Sequence, residues 1–371
     1  MDLARNEEQR QVADSVGGFL RRHYDSAARS AAFASPPGES ILWRRLSEEL
    51  QLTGLMVSAE EGGQGASPAD AMVVMEELGR RLVLDPFAEF CVIAPFLLRR
   101  VHSPTARNLL RGIARGETRI ALCLPEAGYG ARNDALTLTR IAQGVRIDGA
   151  ALLIPGGPVA THYLLGSGAG AAVDTLFLVG QDATGIRRVD YRMVDGRPGS
   201  DLHFEGVIVP VEATIEIRDL VALARDVGIA AACAEAMGVM REMLAITIDY
   251  TSQRRQFGAP LSSFQAIQHR IADMACEIEK AEAMTALANL LLEAEGAVRE
   301  HSAAAAKVVV SEASRFVGQS AIQLHGAMGT AHETPISRYF RRATTIDLQF
   351  GSAAWNLERY AAAFAQDPDC D

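Results

Sequence analysis

The chain lacks the features that would place it in several large protein classes. No apolar run approaches the roughly 18 residues that a membrane-spanning helix needs, so no span is expected. Basic charge is not in excess: 36 Lys and Arg stand against 46 Asp and Glu, a formal net charge of −10. This excludes a general nucleic-acid binder built on a basic stripe, while leaving room for a local patch that meets phosphate. Five cysteines (Cys91, Cys123, Cys233, Cys276 and Cys370) are scattered with no Cys-x-x-Cys pair. Their spacing predicts no metal site and fits a reducing cytoplasm. The start, Met1-Asp-Leu-Ala-Arg-Asn-Glu-Glu8, is polar and acidic, so no secretory leader is expected. Aromatic residues are only 6% of the chain, and it shows neither an internal repeat nor a low-complexity tract.

What is present is ordinary globular usage, 49% hydrophobic and 22% charged over 371 residues. That length allows two or three domains and a sizeable core. Residues 1–116 show helical periodicity: Val12, Val16, Phe19 and Leu20 recur at three- and four-residue steps, as do Met72, Val73, Met75, Leu78 and Leu82. The glycines at 62, 63 and 65 read as a loop, and Ser67-Pro68 is suited to cap the next helix. Residues 117–217 carry short apolar runs split by turn residues, among them 120–124, 136–139, 163–165, 175–179 and 202–204, which is a β pattern. Residues 218–371 return to helix, with long breaker-poor stretches at 219–252, 263–295 and 300–325 that suggest an antiparallel bundle. The expected fold is mainly α with a central β-domain.

Several local patterns carry chemistry. Arg254-Arg-Gln-Phe-Gly258 sets a guanidinium near a helix end. Such a group makes charge-assisted, often bidentate bonds to phosphate, although an arginine pair at a helix end is as readily just solvated. Gln323-x-x-Gly326 carries a glycine, which lets backbone approach a ligand closely. With these come Gly54-Leu55, Glu61-Gly-Gly-x-Gly65, Glu76-Glu-Leu-Gly-Arg80, Glu333-Thr-Pro335, Arg341-Arg342 and Phe350-Gly351. In this order, over nearly the whole chain, the set resembles the acyl-CoA dehydrogenase family. The resemblance implies an N-terminal helical domain, a β-barrel-like middle domain and a C-terminal four-helix bundle. It also implies a tetramer, FAD as cofactor, an acyl-CoA thioester as substrate and electron-transfer flavoprotein as acceptor.

By that resemblance Arg254, Gln256, Phe257, Leu261, Gln265 and Ile267 match residues that line one half of an FAD site across a subunit boundary. Phe257 could equally be core. Gln323 and Gly326 match the turn that holds the adenine end, with Ala327 where the family often has a second glycine. The half that would hold the isoalloxazine ring departs from the family. Its run of 123–134 has Leu124 at the hydroxyl position, and Leu152-Leu-Ile-Pro155 stands where the family packs Trp-Ile-Thr/Ser on the flavin. The α-proton needs a base, usually a glutamate before the glycine matching Gly351, and that slot holds Phe350. An alternative slot on the helix before Arg254 holds Gly228. Asp226, Glu235 and Asp347 are the carboxylates left as candidates, each as readily a surface or capping residue. The arginine expected three residues after Asp226 is absent, although Arg225 is adjacent.

Two readings follow. The chain is similar to the base-lacking subunits of bacterial hetero-oligomeric dehydrogenases of the steroid side-chain type, down to Phe350-Gly-Ser-Ala-Ala-Trp355 and Glu358-Arg359. It would then share FAD with a second, related chain. Alternatively it is a self-sufficient homo-oligomeric dehydrogenase or oxidase with a displaced base, or a flavin-free binding protein that kept the fold. Sterol, branched and fatty acyl groups all stay open.

Overall fold

Reciprocal caps begin two of the N-terminal helices. In the computed structural model, which describes residues 5–37, 41–124, 136–166, 175–210, 214–216, 220–331 and 334–364, helix α1 (Glu7–His23) starts at Asn6. The Asn6 side chain accepts from the Gln9 N–H and the Gln9 side chain accepts from the Asn6 N–H, so two amides that the helix leaves orphaned are satisfied. Val16, Phe19 and Leu20 form its buried face. Helices α2 (Ser26–Ala34) and α3 (Ile41–Glu48) follow. Helix α4 (Pro68–Arg80) opens on Ser67 with a second box closed by Asp70, as the Ser-Pro pair predicts. A π-helical turn, Ala88–Ile93, leads into α5 (Ala94–Leu98) and α6 (Pro104–Ala114).

Among the described residues, strands then form two four-stranded sheets. One has the order β1-β4-β5-β8, from β1 (Ile120–Cys123), β4 (His162–Gly166), β5 (Thr175–Gly180) and β8 (Thr214–Glu216), with β1 parallel to β4. The other is antiparallel, β2-β3-β7-β6, from β2 (Thr137–Ile141), β3 (Gly144–Pro155), β7 (Pro198–Val209) and β6 (Ile186–Arg192). Strand β6 shows no clear apolar run in the sequence because it is an edge strand with most of its length facing solvent.

The long helices are α7 (Leu220–Gln253), α8 (Gln265–Leu290) and α9 (Gly296–His325), followed by α10 (Ala327–Thr330), α11 (Pro335–Leu348) and α12 (Ala353–Phe364). Helix α7 is the axis of the molecule. It packs against α4, α8, α9, α11 and the π-helical turn, and its first half is buried on every side. This is why its apolar residues show no single face. The architecture is mainly α, with the pair of sheets between the N-terminal and C-terminal helices in chain order. No helix of the described residues is long and apolar enough to cross a membrane.

Helices α4 and α7 cross with their backbones touching. A Cβ added at Gly238 would lie 2.0 Å from the Glu76 carbonyl oxygen, and one at Gly79 would lie 2.3 Å from that of Glu235. Gly238→Ala must therefore push the helices apart, with an expected cost of about 2–4 kcal/mol in chemical denaturation. Gly180→Ala, where an added Cβ meets nothing within 4 Å, is the control and is expected to cost under about 0.5 kcal/mol.

Candidate functional site

Phe350 lies in the turn between α11 and α12 at φ +57°, a region that bulky residues rarely enter. The turn is gripped from both sides. Upstream, the Lys307 ammonium donates to the Ile346 carbonyl, and Arg342 donates to Gln349 Oε1 at 2.9 Å. Downstream, Asn356 is wholly buried and its Nδ2 donates to the carbonyls of Gly351 and Ser352, both at 3.1 Å. These clamps direct the Phe350 ring, itself buried, onto α7. A Cβ at Gly228 would fall 2.4–2.6 Å from three ring carbons of Phe350. The slot before Gly351 and the slot on α7 thus share one volume, and Phe350 fills it.

Two of the three candidate carboxylates, Asp226 and Glu235, are held by arginines. Asp226 is fully buried and pairs with Arg299 at 2.9 Å and Arg359 at 2.5 Å, with Arg225 3.9 Å away. Arg225 and Arg359 also approach the Trp355 ring, at 5.3 and 5.8 Å. Glu235 lies seven residues after Gly228 on the same face of α7, about 10 Å along the helix. Arg342 grips it through two 2.7 Å bonds, and Arg197 donates to it as well. Asp195 completes the cluster, accepting from Arg342 at 2.8 Å and from the Thr345 hydroxyl at 2.9 Å. Burial by itself would lift the Glu235 and Asp195 carboxyls, but the two arginines outweigh it and hold both below the usual carboxylate range. Asp347 meets Arg315 at 3.5 Å through Oδ2, while its Oδ1 is buried with no hydrogen-bond partner among the described residues.

Glu89, on the π-helical turn, is not among the sequence candidates. It is buried, and neither carboxyl oxygen has a hydrogen-bond partner among the described residues. In the neighbouring cluster Arg197 and Arg342 are already balanced by Glu235 and Asp195, so a third carboxyl finds no spare cation. Burial raises its pKa against the pull of both arginines. The signal in the sequence was a single acid inside the apolar run 87–98.

At the far end of α7 the picture reverses. Strands β9 (Arg255–Gln256) and β10 (Ala259–Pro260) form a hairpin whose turn is Phe257-Gly258, at φ +56° and +79°. Tight hairpins need left-handed backbone at both turn positions, which suits glycine and strains phenylalanine. Phe257 is 91% exposed, so it is not core, and it meets Phe264 edge-on at 6.2 Å. Arg254, Gln256 and Gln265 are exposed as well, while Leu261 and Ile267 are half-buried beside the hairpin. Tyr250 stacks on His325 at 4.3 Å, and its hydroxyl donates to the His325 carbonyl at 3.4 Å. That contact ties the end of α7 to the end of α9 and brings the exposed Gln323 and Gly326 to the same edge as Arg254. Around Gly258 and Gly326 an added Cβ would meet nothing within 4 Å. A guanidinium, carboxamides, two open glycines and a bare aromatic ring are suited to the pyrophosphate and adenine of a dinucleotide.

Of the departing half, Leu124 is buried, and 125–134 lie outside the described residues, as does Glu333. Leu152 and Leu153 are exposed at a β3 bulge, where Leu153 is again left-handed at φ +56°.

A helix–sheet–helix fold thus displays, at one edge, groups with the chemistry to meet a phosphate. The chain belongs to the acyl-CoA dehydrogenase family, whose members are FAD-dependent oxidoreductases acting on acyl-CoA. The family's N-terminal domain matches residues 6–117 and its C-terminal domain residues 226–364. Acyl-CoA dehydrogenase IpdE2 of Mycobacterium tuberculosis is 31% identical over 91% of each chain. The Tcur3481-Tcur3483 steroid ACAD is 26% identical with a TM-score of 0.88, over 97% of this chain and 98% of that one. The ChsE4-ChsE5 complex from Mycobacterium tuberculosis shares the fold, with a TM-score of 0.91 at 21% identity over 99% and 100% of the two chains.

Gly228→Ala puts a methyl group inside the volume of a clamped ring and is expected to cost about 1–3 kcal/mol. Phe350→Ala is expected to cost about 3–5 kcal/mol. In a denaturation double-mutant cycle the pair should cost clearly less than the sum, whereas additivity would mean that the contact is not made.

Lys307 is buried, and burial pushes its pKa from the ordinary 10.5 down to about 8. Below about pH 8 it is protonated in both folded and unfolded chains, and the fold carries the full cost. From about pH 8 to 10.5 the unfolded chain binds the extra proton, so stability rises by roughly 3 kcal/mol from this group. The stability difference between the natural chain and Lys307→Met should move by that order across the window and stay flat below it.

Proposed function

We propose that this chain is the base-lacking subunit of a hetero-oligomeric acyl-CoA dehydrogenase. It lends one half of an FAD site to a related chain that supplies the base and takes the acyl-CoA thioester. The observation that carries this reading is that one phenylalanine fills both base positions, while the residues suited to FAD stay exposed at one edge. Abstraction of an α-proton needs a desolvated carboxylate within hydrogen-bond reach. Asp226 and Glu235 are each paired with two arginines, and at Glu235 the arginines outweigh burial and hold the carboxyl below the usual carboxylate range, which makes it a weak base.

FAD, when bound, supplies the hydride acceptor. Arg254 would hold its pyrophosphate, Gln323 and Gly326 its adenine end, and Gln256, Phe257, Leu261, Gln265 and Ile267 would line the stretch between. Electron-transfer flavoprotein would take the electrons onward. The similar structures named as pairs favour two unlike chains and a sterol-type acyl group.

One observation favours a second reading, a self-sufficient enzyme with a displaced base. Glu89 is a buried carboxyl with no ion pair or hydrogen-bond partner among the described residues, and burial outweighs the pull of Arg197 and Arg342 to give the raised pKa that a general base can use.

The visible spectrum decides between them, read on the chain purified alone and after co-expression with its candidate partner, with FAD counted per chain. The chain alone should be colourless, and the complex should hold one FAD for each unlike pair. Arg254→Ala in the complex should weaken FAD binding at least about tenfold, through loss of a charge-assisted phosphate contact. Full FAD occupancy in the chain alone, bleached by an acyl-CoA, would overturn the proposal; loss of that bleaching in Glu89→Gln would assign the base.

A further inference from the structure

The other face of α7 lines a separate cleft. At about 100° per residue, Gly228 and Glu235 share one side of the helix, while Met237 and Arg241 face the opposite side and Ala234 the flank beside them. There α1, α4, α7 and α8 enclose about 650 Å³, within the usual range for a small-molecule site. Met72 and Val73 of α4, Ala234 and Met237 of α7, and Ala286 and Leu290 of α8 form its apolar part, and polar and charged side chains of α1, α4 and α8 form the rest.

One wall residue is polar and incompletely satisfied. Asn289 is 5% exposed, and its Nδ2 donates to the Thr285 carbonyl at 2.7 Å. That bond fixes which end of the amide is which, because a flipped amide would set oxygen against oxygen. Asn289 Oδ1 is left buried with no hydrogen-bond partner among the described residues. A buried acceptor without a donor is costly unless something in the cleft supplies one. The charges at the rim already have partners, Arg10 through Glu7 outside the cleft. Glu76 is paired with Arg5, Arg80 and Arg241, and Arg241 also meets Glu282 at 2.6 Å.

We propose that this cleft is a second small-molecule site, which takes a neutral, largely apolar alcohol whose hydroxyl donates to Asn289 Oδ1. It is independent of the FAD edge and of the volume filled by Phe350.

The test titrates the full chain, in the assembly it purifies in, with fluorescent 1-pyrenemethanol and with its methyl ether, which keeps the body and loses the donor. The alcohol should bind about tenfold tighter than the ether, the worth of one hydrogen bond to a buried acceptor. Asn289→Leu should abolish that preference. Ala286→Trp, which fills the cleft from its half-exposed rim, should abolish binding of both probes while the thermal midpoint holds. Equal affinity for alcohol and ether in the natural chain, no binding of either, or binding that survives Ala286→Trp would each overturn the proposal. The first comparison needs no variant, so a failure of Asn289→Leu to fold leaves the test intact.

Discussion

The contact between the Phe350 ring and the bare backbone of Gly228 is the constraint on which the rest of the site depends. It works only because each position makes room for the other. Any side chain at 228 would enter the ring, and the ring cannot move aside while Lys307, Arg342 and Asn356 hold its turn. A left-handed phenylalanine is itself strained by an amount of order 1–3 kcal/mol, and persists only where its surroundings over-determine it. Here the surroundings are two helix ends and a buried lysine, so the closure is built into the packing.

The cluster beside that contact follows the same logic in charges. Two arginines, one glutamate and one aspartate are buried together and balance. Such a group contributes less to net stability than its short distances suggest, since each ion lost its water on burial. What it does supply is order, because Arg342 joins α7, the segment before β7 and the Phe350 turn through a single guanidinium. Glu89 is the remainder of that balance, a carboxyl that burial drives toward its neutral form.

Closure on one side of α7 contrasts with display at its end. The hairpin after α7 spends backbone strain to hold Phe257 in solvent, where an apolar ring gains nothing from water. That expenditure makes sense where another surface or a planar ligand covers the ring. Family membership by itself would not separate an enzyme from a helper subunit, since one fold carries many functions. The separation rests on which of the family's positions are filled, held or left open.

Much of this chain was legible in one dimension. Helical spans, the Ser67 cap, the order of helix, sheet and helix, and the want of a carboxylate at 350 and 228 are local properties, set by periodicity, turn chemistry and motif spacing. The loss of clear pattern in β6 and α7 has a physical cause: one lies at a solvated edge and the other is buried all round, so neither shows the contrast that a period requires. The sequence by itself determined the family and the residues with chemistry to offer. Only the tertiary structure decided what each can do. It made Gly228 and Phe350 one volume, gave Asp226 and Glu235 their arginines, stranded Glu89 and Asn289 Oδ1, and turned Phe257 outward. Those outcomes depend on how helices distant in the chain cross, and a crossing is set by packing in three dimensions that no local period records.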